Sequence, residues 1–155
     1  MIKRCSLFFI SYLLISSCFL CADPLDKETT ITITAKQFEV KGDKKLAIAT
    51  GDVQVARGPL LITGDLANYF ETTQEIQLTG QKKPVWFQYR EIQGMCGKAL
   101  YRIREKKIVT TENPIVTRGK DRLEGDRIEF HLTGQRLMIG GNSKVKLNEG
   151  PLDRE

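Results

Sequence analysis

The side chains that most often carry enzymatic chemistry are scarce in this sequence. The 155 residues include one histidine, His131, and strand-like alternation places it on the face opposite Phe130. Of four cysteines, only Cys96 lies beyond residue 21, where we expect a small, half-buried, apolar role. Metal centres and nucleophilic triads need several such groups held together. The sequence therefore predicts no catalytic residues, no metal site and no cofactor, and it favours a binding or structural protein over an enzyme.

Short motifs point the same way. The chain contains no GxSxG, HExxH, GxGxxG or P-loop pattern. Its Gly-Asp pairs, at 42–43, 51–52, 64–65 and 125–126, lack the dense glycine spacing of calcium-binding solenoids, so they indicate tight turns. Basic and acidic residues are interspersed, which is typical of a solvated surface and not of a nucleic-acid-binding one.

The first 22 residues differ from the rest of the chain. Lys3 and Arg4 precede an uncharged run, 5–22, that is rich in Leu, Ile and Phe. This order predicts a secretory signal peptide at 1–22 and hence export, although the cleavage site is open. Two alternatives remain: a retained membrane anchor, and a lipobox-like Ile-Ser-Ser-Cys run that would lipidate Cys18. Loss of Lys3 and Arg4 lowers the formal net charge from +5 to +3.

Beyond the leader, apolar and polar residues alternate in short runs such as 30–34, 52–55 and 143–147. A period of two is typical of half-buried strands, and threonine, valine and isoleucine favour them. Glycines separate these runs, so the sequence predicts an all-β protein.

The glycines follow a repeat. Four windows begin with the pattern apolar–x–(Gly/Ala)–(Asp/Lys), with starts 29, 33 and 28 residues apart. The small residue of the pattern is Ala35, Gly64, Gly97 and Gly125 in turn. A period near 30 indicates stacked strand–turn–strand units that share one core, and the small residue lets strands approach closely at a bend. The alternative is an ordinary β-sandwich with evenly spaced turns. We expect one domain over 23–148 and a polar tail at 149–155.

The runs 33–40, 49–55, 62–69 and 123–130 resemble the OstA-like, LptA-type domain of periplasmic lipopolysaccharide-transport bridge proteins. The resemblance covers about 29–147. It implies a twisted, open β-jelly roll of about four stacked repeats, without catalysis, that binds the lipid A part of lipopolysaccharide in an apolar groove. It also implies strand-edge pairing with an inner-membrane-anchored jelly-roll partner and with the N-terminal domain of the outer-membrane translocon. Pairing with further copies of the chain, in a head-to-tail homo-oligomer, is a further option.

Ten apolar residues are candidates to line that groove, each equally explained as plain core: Phe38, Val40, Ile48, Tyr69, Leu78, Phe87, Leu100, Ile128, Phe130 and Ile139. Five basic residues in predicted turns are candidates for glycolipid phosphates or for simple solvation: Lys82, Lys83, Arg118, Lys120 and Arg122. The third unit, 95–111, is the least regular, because Arg102 and Arg104 flank Ile103. The sequence does not determine which face of this unit points inward.

Four hypotheses for the function compete. The leading hypothesis is a periplasmic carrier that bridges the inner and outer membranes. If the leader is retained, the chain is better described as the inner-membrane-anchored protein of the same transport system. A structural β-repeat scaffold would assemble without lipid, and a carbohydrate-active solenoid enzyme would need a carboxylate cluster that the sequence does not show.

Overall fold

The structure, a computed structural model, describes residues 30–147, so the predicted leader and tail lie outside the described residues. Fourteen antiparallel strands account for most of this range, which confirms the all-β prediction. The strands are β1 (Thr32–Thr34), β2 (Gln37–Lys41), β3 (Leu46–Arg57), β4 (Leu60–Phe70), β5 (Glu75–Thr79), β6 (Val85–Tyr89), β7 (Ile92–Cys96), β8 (Lys98–Arg102), β9 (Lys107–Thr111), β10 (Ile115–Arg118), β11 (Asp121–Glu124), β12 (Arg127–His131), β13 (Arg136–Gly140) and β14 (Lys144–Lys146). Two short 3-10 turns, Gly42–Lys44 and Thr133–Gln135, complete the elements.

All fourteen strands belong to one hydrogen-bonded sheet that folds over on itself. The long strands β3 and β4 bend, so residues 46–50 pair with 66–70 in one half and residues 53–57 pair with 60–64 in the other. Half-sheet I continues through β2, β5, β8, β9, β12 and β13, and half-sheet II through β1, β6, β7, β10, β11 and β14. This architecture confirms the open jelly roll that the family resemblance implied.

The chain passes between the half-sheets along one side only, which we call the corner side. It crosses from half-sheet II to half-sheet I at the four small residues of the repeat, Ala35, Gly64, Gly97 and Gly125, and returns near residues 51–52, 80–84, 112–114 and 140–143. Successive corners are hydrogen-bonded to one another, for example Gly97 N–H to the Glu112 carbonyl at 2.9 Å. A Cβ at Gly97 would overlap the Glu112 side chain, and one at Gly125 would lie 2.6 Å from Ile139 Cγ2. At Gly97 and Gly125 the close stacking of the corners therefore leaves no room for a Cβ, whereas a Cβ at Gly64 would make only ordinary contacts, the nearest at 3.5 Å.

The residue after the small one ties each crossing to the next return corner. In the first and third units it is a lysine: Lys36 Nζ lies 2.6 Å from Asp52 Oδ2, and Lys98 Nζ lies 2.6 Å from Glu112 Oε1. Both acidic partners have positive φ, 44° at Asp52 and 63° at Glu112. Exposed pairs of this kind contribute little to stability.

In the second and fourth units this residue is an aspartate that accepts backbone N–H groups instead. Asp65 Oδ2 accepts from residues 81, 82 and 83 at 2.7, 2.6 and 3.1 Å, and Asp126 Oδ2 accepts from Asn142 at 3.0 Å. These backbone donors hold the pKa of the Asp65 carboxyl below its ordinary value. The Gly-Asp pairs at 64–65 and 125–126 thus hold turns in place. Among residues 30–147, no group of three or more side chains is arranged to hold a metal ion.

The half-sheets pack face to face around a single core. Across the gap, the Phe87 and Phe130 ring centroids are 6.3 Å apart, and the Tyr89 and Phe130 rings meet edge to face at 5.7 Å. Burying an apolar side chain of this size contributes about 1.5–3 kcal/mol, so the packed faces stabilise the fold. Opposite Phe87 on β7 is Gly94, whose missing side chain leaves room for the Phe87 ring.

We expect Gly94→Ala to lower the free energy of unfolding by about 1–3 kcal/mol, the usual cost of overpacking a core. A Cβ at position 94 would overlap three carbon atoms of the buried Phe87 ring, which has no free space to move into. Urea unfolding followed by fluorescence measures the change. Gly42→Ala is the matched control, because a Cβ there meets no atom within 4 Å. Equal stability of the two variants would contradict this packing.

The carboxylate of Asp65 predicts a pH dependence. Because its pKa is lower in the folded state, the ionised carboxylate adds stability that is present above its ordinary pKa of about 4 and is lost as the pH falls through the folded-state pKa. We therefore expect Asp65→Asn to have a lower urea midpoint than the unaltered protein at neutral pH, with the difference shrinking towards about pH 3. Asp43→Asn, in the exposed turn Gly42–Lys44, controls for loss of a carboxylate. A pH-independent difference would show that the charge plays no part.

Candidate functional site

The inward-facing side chains of the two half-sheets form one apolar interior. Cross-strand partners lie on the same face of a sheet, so the register defines rows of side chains that run from one end of the stack to the other. One row in half-sheet I is Val40, Ala47, Tyr69, Ile76, Tyr101, Ile108, Phe130 and Leu137. The neighbouring row is Phe38, Ala49, Ala67, Leu78, Ala99, Thr110, Ile128 and Ile139. Half-sheet II opposes them with Ile33, Val55, Ile62, Phe87, Gly94, Val116, Leu123 and Val145.

Eight of the ten sequence-predicted groove residues lie in these inward rows. Four of them are fully buried, namely Leu78, Phe87, Ile128 and Phe130. The other four are partly or largely exposed because they lie near an end of the stack or at its side, namely Phe38, Val40, Tyr69 and Ile139. The structure brings these eight together in one interior, and their contact with lipid stays a prediction.

The inward orientation expected of Ile48 and Leu100 is wrong. Ile48 pairs with Asn68, and Leu100 pairs with Gln77, on the outer face of half-sheet I. The physical reason is that the adjacent inward positions are small, since Ala49 and Ala99 fill the narrow space between the half-sheets. If the larger apolar residue is assumed to face the interior, the outward-facing residue is therefore chosen on these two strands.

The irregular third unit follows the same pattern as the others. Tyr101 and Ile108 face inward and are fully buried, and the hydroxyl of inward-facing Thr110 donates to the Ile128 carbonyl at 3.0 Å. Arg102 faces outward, where its Nε lies 3.1 Å from Glu75. The arginines that made the inward face of this unit hard to assign from the sequence thus lie outside the core.

Opposite the corner side, the half-sheets end in hairpin turns, and we call this the open side. A cavity of about 190 Å³ lies there between the two halves. Its lining is apolar and consists of Ile31, Ile33, Tyr69, Ile76 and Ile103. Of these residues, the sequence had nominated only Tyr69.

Arg57, at the end of β3, spans the gap beside this cavity. Its guanidinium donates to the Tyr101 hydroxyl at 2.8 Å and to the Ile103 carbonyl at 3.4 Å, both on half-sheet I. Burial raises the pKa of Tyr101, and the charges of Arg57 and Lys106 oppose that rise. A signal for Arg57 was present in the sequence, because it continues the inward phase of Val53 and Val55 directly before the 58–59 turn.

Both ends of the stack expose inward-facing apolar residues. At the β2 end Phe38 is 49% exposed and Val40 is 75% exposed, and at the β14 end Val145 is 49% exposed. Within residues 30–147, β1 and β2 pair only with β3, β13 pairs only with β12, and β14 pairs only with β11. Each end therefore carries two edge strands with unused backbone hydrogen-bonding groups.

The histidine and the cysteine that could carry chemistry lie on different strands and do not form a shared site. His131 is on the outer face of β12, opposite Lys107 and Arg136 on the neighbouring strands. Cys96 is a buried free thiol whose pKa is raised to about 12, mainly by burial. Cys96 packs within the apolar core, so it has the expected apolar role but is more fully buried than the half-buried position that the sequence indicated. No helix within residues 30–147 has the length and apolar character needed to cross a membrane.

Comparison with known proteins identifies the family. The family model described as LptA/(LptD N-terminal domain) LPS transport protein matches residues 32–136. The fold is similar to the crystal structure of LptH from Pseudomonas aeruginosa, the LptA-homologous periplasmic component of a lipopolysaccharide transport device, with a TM-score of 0.74 at 16% identity. That match covers 81% of this chain and 100% of the other. No curated protein matched the sequence. The chain belongs to the LptA/LptD N-terminal domain family of lipopolysaccharide transport proteins, as its repeat predicted.

Proposed function

We propose that the chain is a periplasmic lipopolysaccharide carrier that bridges the inner and outer membranes. It holds the acyl chains of lipid A in the interior and joins its neighbours through its edge strands. The observation that carries the proposal is the set of apolar rows that run through the whole stack and reach both ends. A path of this kind suits a lipid that passes from one subunit to the next, and the family itself is one of lipopolysaccharide transport proteins.

The acyl chains would enter along the open side. The half-sheets are joined by the chain at the corner side, whereas at the open side they meet through side-chain contacts such as Arg57 with Tyr101. Parting them there exchanges contacts between apolar side chains for contacts with acyl chains, and little apolar surface needs to meet water. The cavity beside Tyr69 is a starting point for this exchange.

The ends supply the docking edges. An exposed strand edge binds a partner strand through backbone hydrogen bonds, and the exposed side chains of Phe38 and Val40 at one end would meet those of Val145 and Leu147 at the other. The same edges would receive an inner-membrane-anchored jelly-roll partner and the N-terminal domain of the outer-membrane translocon. Because the two ends differ, copies of the chain would join head to tail.

In this proposal residues 1–22 are an export leader, 23–148 form the jelly-roll domain and 149–155 are a polar tail. The protein has no catalytic role and needs no cofactor, since transport in such a system draws its energy elsewhere. A retained leader, or a lipidated Cys18, would tether the same domain to a membrane. The mass of the mature protein distinguishes these forms.

We expect a photo-crosslinking amino acid at position 69 to label lipopolysaccharide in cells, and one at position 70 to label it weakly or not at all. Tyr69 and Phe70 are adjacent, aromatic and half-buried, but Tyr69 faces the interior and its cavity whereas Phe70 faces outward. Gel mobility of the irradiated protein, probed for lipopolysaccharide, measures the product. Equal labelling at both positions, or none at position 69, would refute an interior lipid path.

Blocking one end at a time tests head-to-tail assembly. Phe38→Asp places a charge at the β2 end and Val145→Asp places one at the β14 end, so each variant alone should be monomeric in light scattering. An equimolar mixture should form dimers that do not grow with concentration, because one free end of each kind remains. Met138→Asp, outward on β13, is the matched control and should assemble normally. Dimers of either end-blocked variant alone would indicate a symmetric interface, and assembly without bound lipid would favour the scaffold function.

A further inference from the structure

Arg57 has more hydrogen-bonding capacity than its surroundings use. A guanidinium offers five N–H donors in a planar fork. The two acceptors that it contacts, the Tyr101 hydroxyl and the Ile103 carbonyl, are neutral oxygens on the opposite half-sheet. Its Nε is buried and has no hydrogen-bond partner among residues 30–147, and no carboxylate in that range pairs with it. An unsatisfied buried donor is costly, so this position favours an additional anionic acceptor.

The same side chain contacts the backbone of one residue that lines the apolar cavity of the open side. The Ile103 carbonyl accepts from Arg57, while its side chain lines the cavity together with Ile76, the cross-strand partner of Tyr101. The volume of about 190 Å³ corresponds to about six water molecules, which is space for a short stretch of acyl chain but not for a sugar-bearing group. An apolar cavity beside a cation with spare donors is complementary to an amphiphile with an anionic head.

We propose that Arg57 is a positioning and specificity residue that receives the phosphate of a lipid whose acyl chain enters at this cavity. The proposal rests on the carrier function above. Without lipid, the hydrogen bond from Arg57 to Tyr101 holds the two half-sheets together at the open side. A lipid phosphate offers charged oxygens that match the guanidinium fork, so it competes with the neutral tyrosine hydroxyl for the same donors. Binding of the lipid phosphate to Arg57 therefore also breaks the hydrogen bond that holds the half-sheets together at the open side.

The test compares two lipids in two proteins. The full mature chain and its Arg57→Gln variant are titrated with bisphosphorylated lipid A and with the same lipid A after enzymatic removal of both phosphates. We expect the unaltered chain to bind the phosphorylated form more tightly, and Arg57→Gln to lose about tenfold or more of that preference, the effect of one hydrogen bond to a charged group. Binding of the dephosphorylated lipid should change little. Inorganic phosphate, which lacks an acyl chain, should not displace the bound lipid.

Arg104→Gln is the matched control, because Arg104 lies in the neighbouring hairpin but donates to the exposed Gln74 side chain at 2.9 Å. It removes the same charge from the open side and should keep the phosphate preference. If Arg57→Gln weakens both lipids equally, or keeps the full preference, the assignment of Arg57 is overturned while the carrier function stands. If the unaltered chain binds neither lipid, the carrier function and this inference both fail.

Tyr101→Phe separates the two proposed roles of Arg57, closing the gap and binding phosphate. It also provides the test if Arg57→Gln does not fold. It removes the hydroxyl that accepts from Arg57 and leaves the guanidinium in place, so the phosphate preference should persist or increase. Loss of the preference in Tyr101→Phe would show that the closed contact, and not a phosphate bond to Arg57, determines how lipid is selected.

Discussion

The covalent joining of the two half-sheets along one side only is the constraint on which the rest of the structure depends. Each unit crosses at a residue with little or no side chain, and the next residue ties that crossing to the following return corner by an ion pair or by backbone N–H groups. The corner side is therefore held by chain connectivity, hydrogen bonds and charge. The open side has only packing and a few polar contacts, of which Arg57 with Tyr101 crosses the gap. If the half-sheets part, this asymmetry places the separation at the open side and leaves the corner side joined.

The corner motif also shows how unlike residues meet one structural requirement. Lys36 and Lys98 pair with acidic side chains, whereas Asp65 and Asp126 accept from backbone N–H groups, at equivalent places in alternate units. In each case the return corner must be held against the crossing. Aspartate and lysine carry opposite charges, so their alternation at this position has no evident reason in the sequence alone. The structure supplies the reason, because each residue type binds a different group of the return corner and holds it against the crossing.

The repeat, the all-β fold and the family were predictable from the sequence because glycine spacing and strand alternation are local signals. Which face each strand buries was less predictable. On β3 and β8 both phases carry apolar residues, and the inward phase holds the smaller ones, Ala49 and Ala99, so size misassigned Ile48 and Leu100. The cavity beside Ile33 was beyond sequence reasoning because it depends on how closely two half-sheets approach.

The packed interior is compatible with the proposed lipid transport, because acyl chains would replace contacts between apolar side chains with contacts of the same apolar kind. In the described structure the Phe87 and Phe130 rings are fully buried against one another, with no open channel between them. An acyl chain that parts the half-sheets replaces those contacts with others of similar apolar character, so the net cost comes mainly from strain at the corners and from the polar contacts at the open side. In the proposed carrier, the same side chains would close the gap after the lipid has moved on. Such a carrier would need no permanent cavity as wide as its cargo, and its empty form would hide the apolar surface that otherwise favours aggregation.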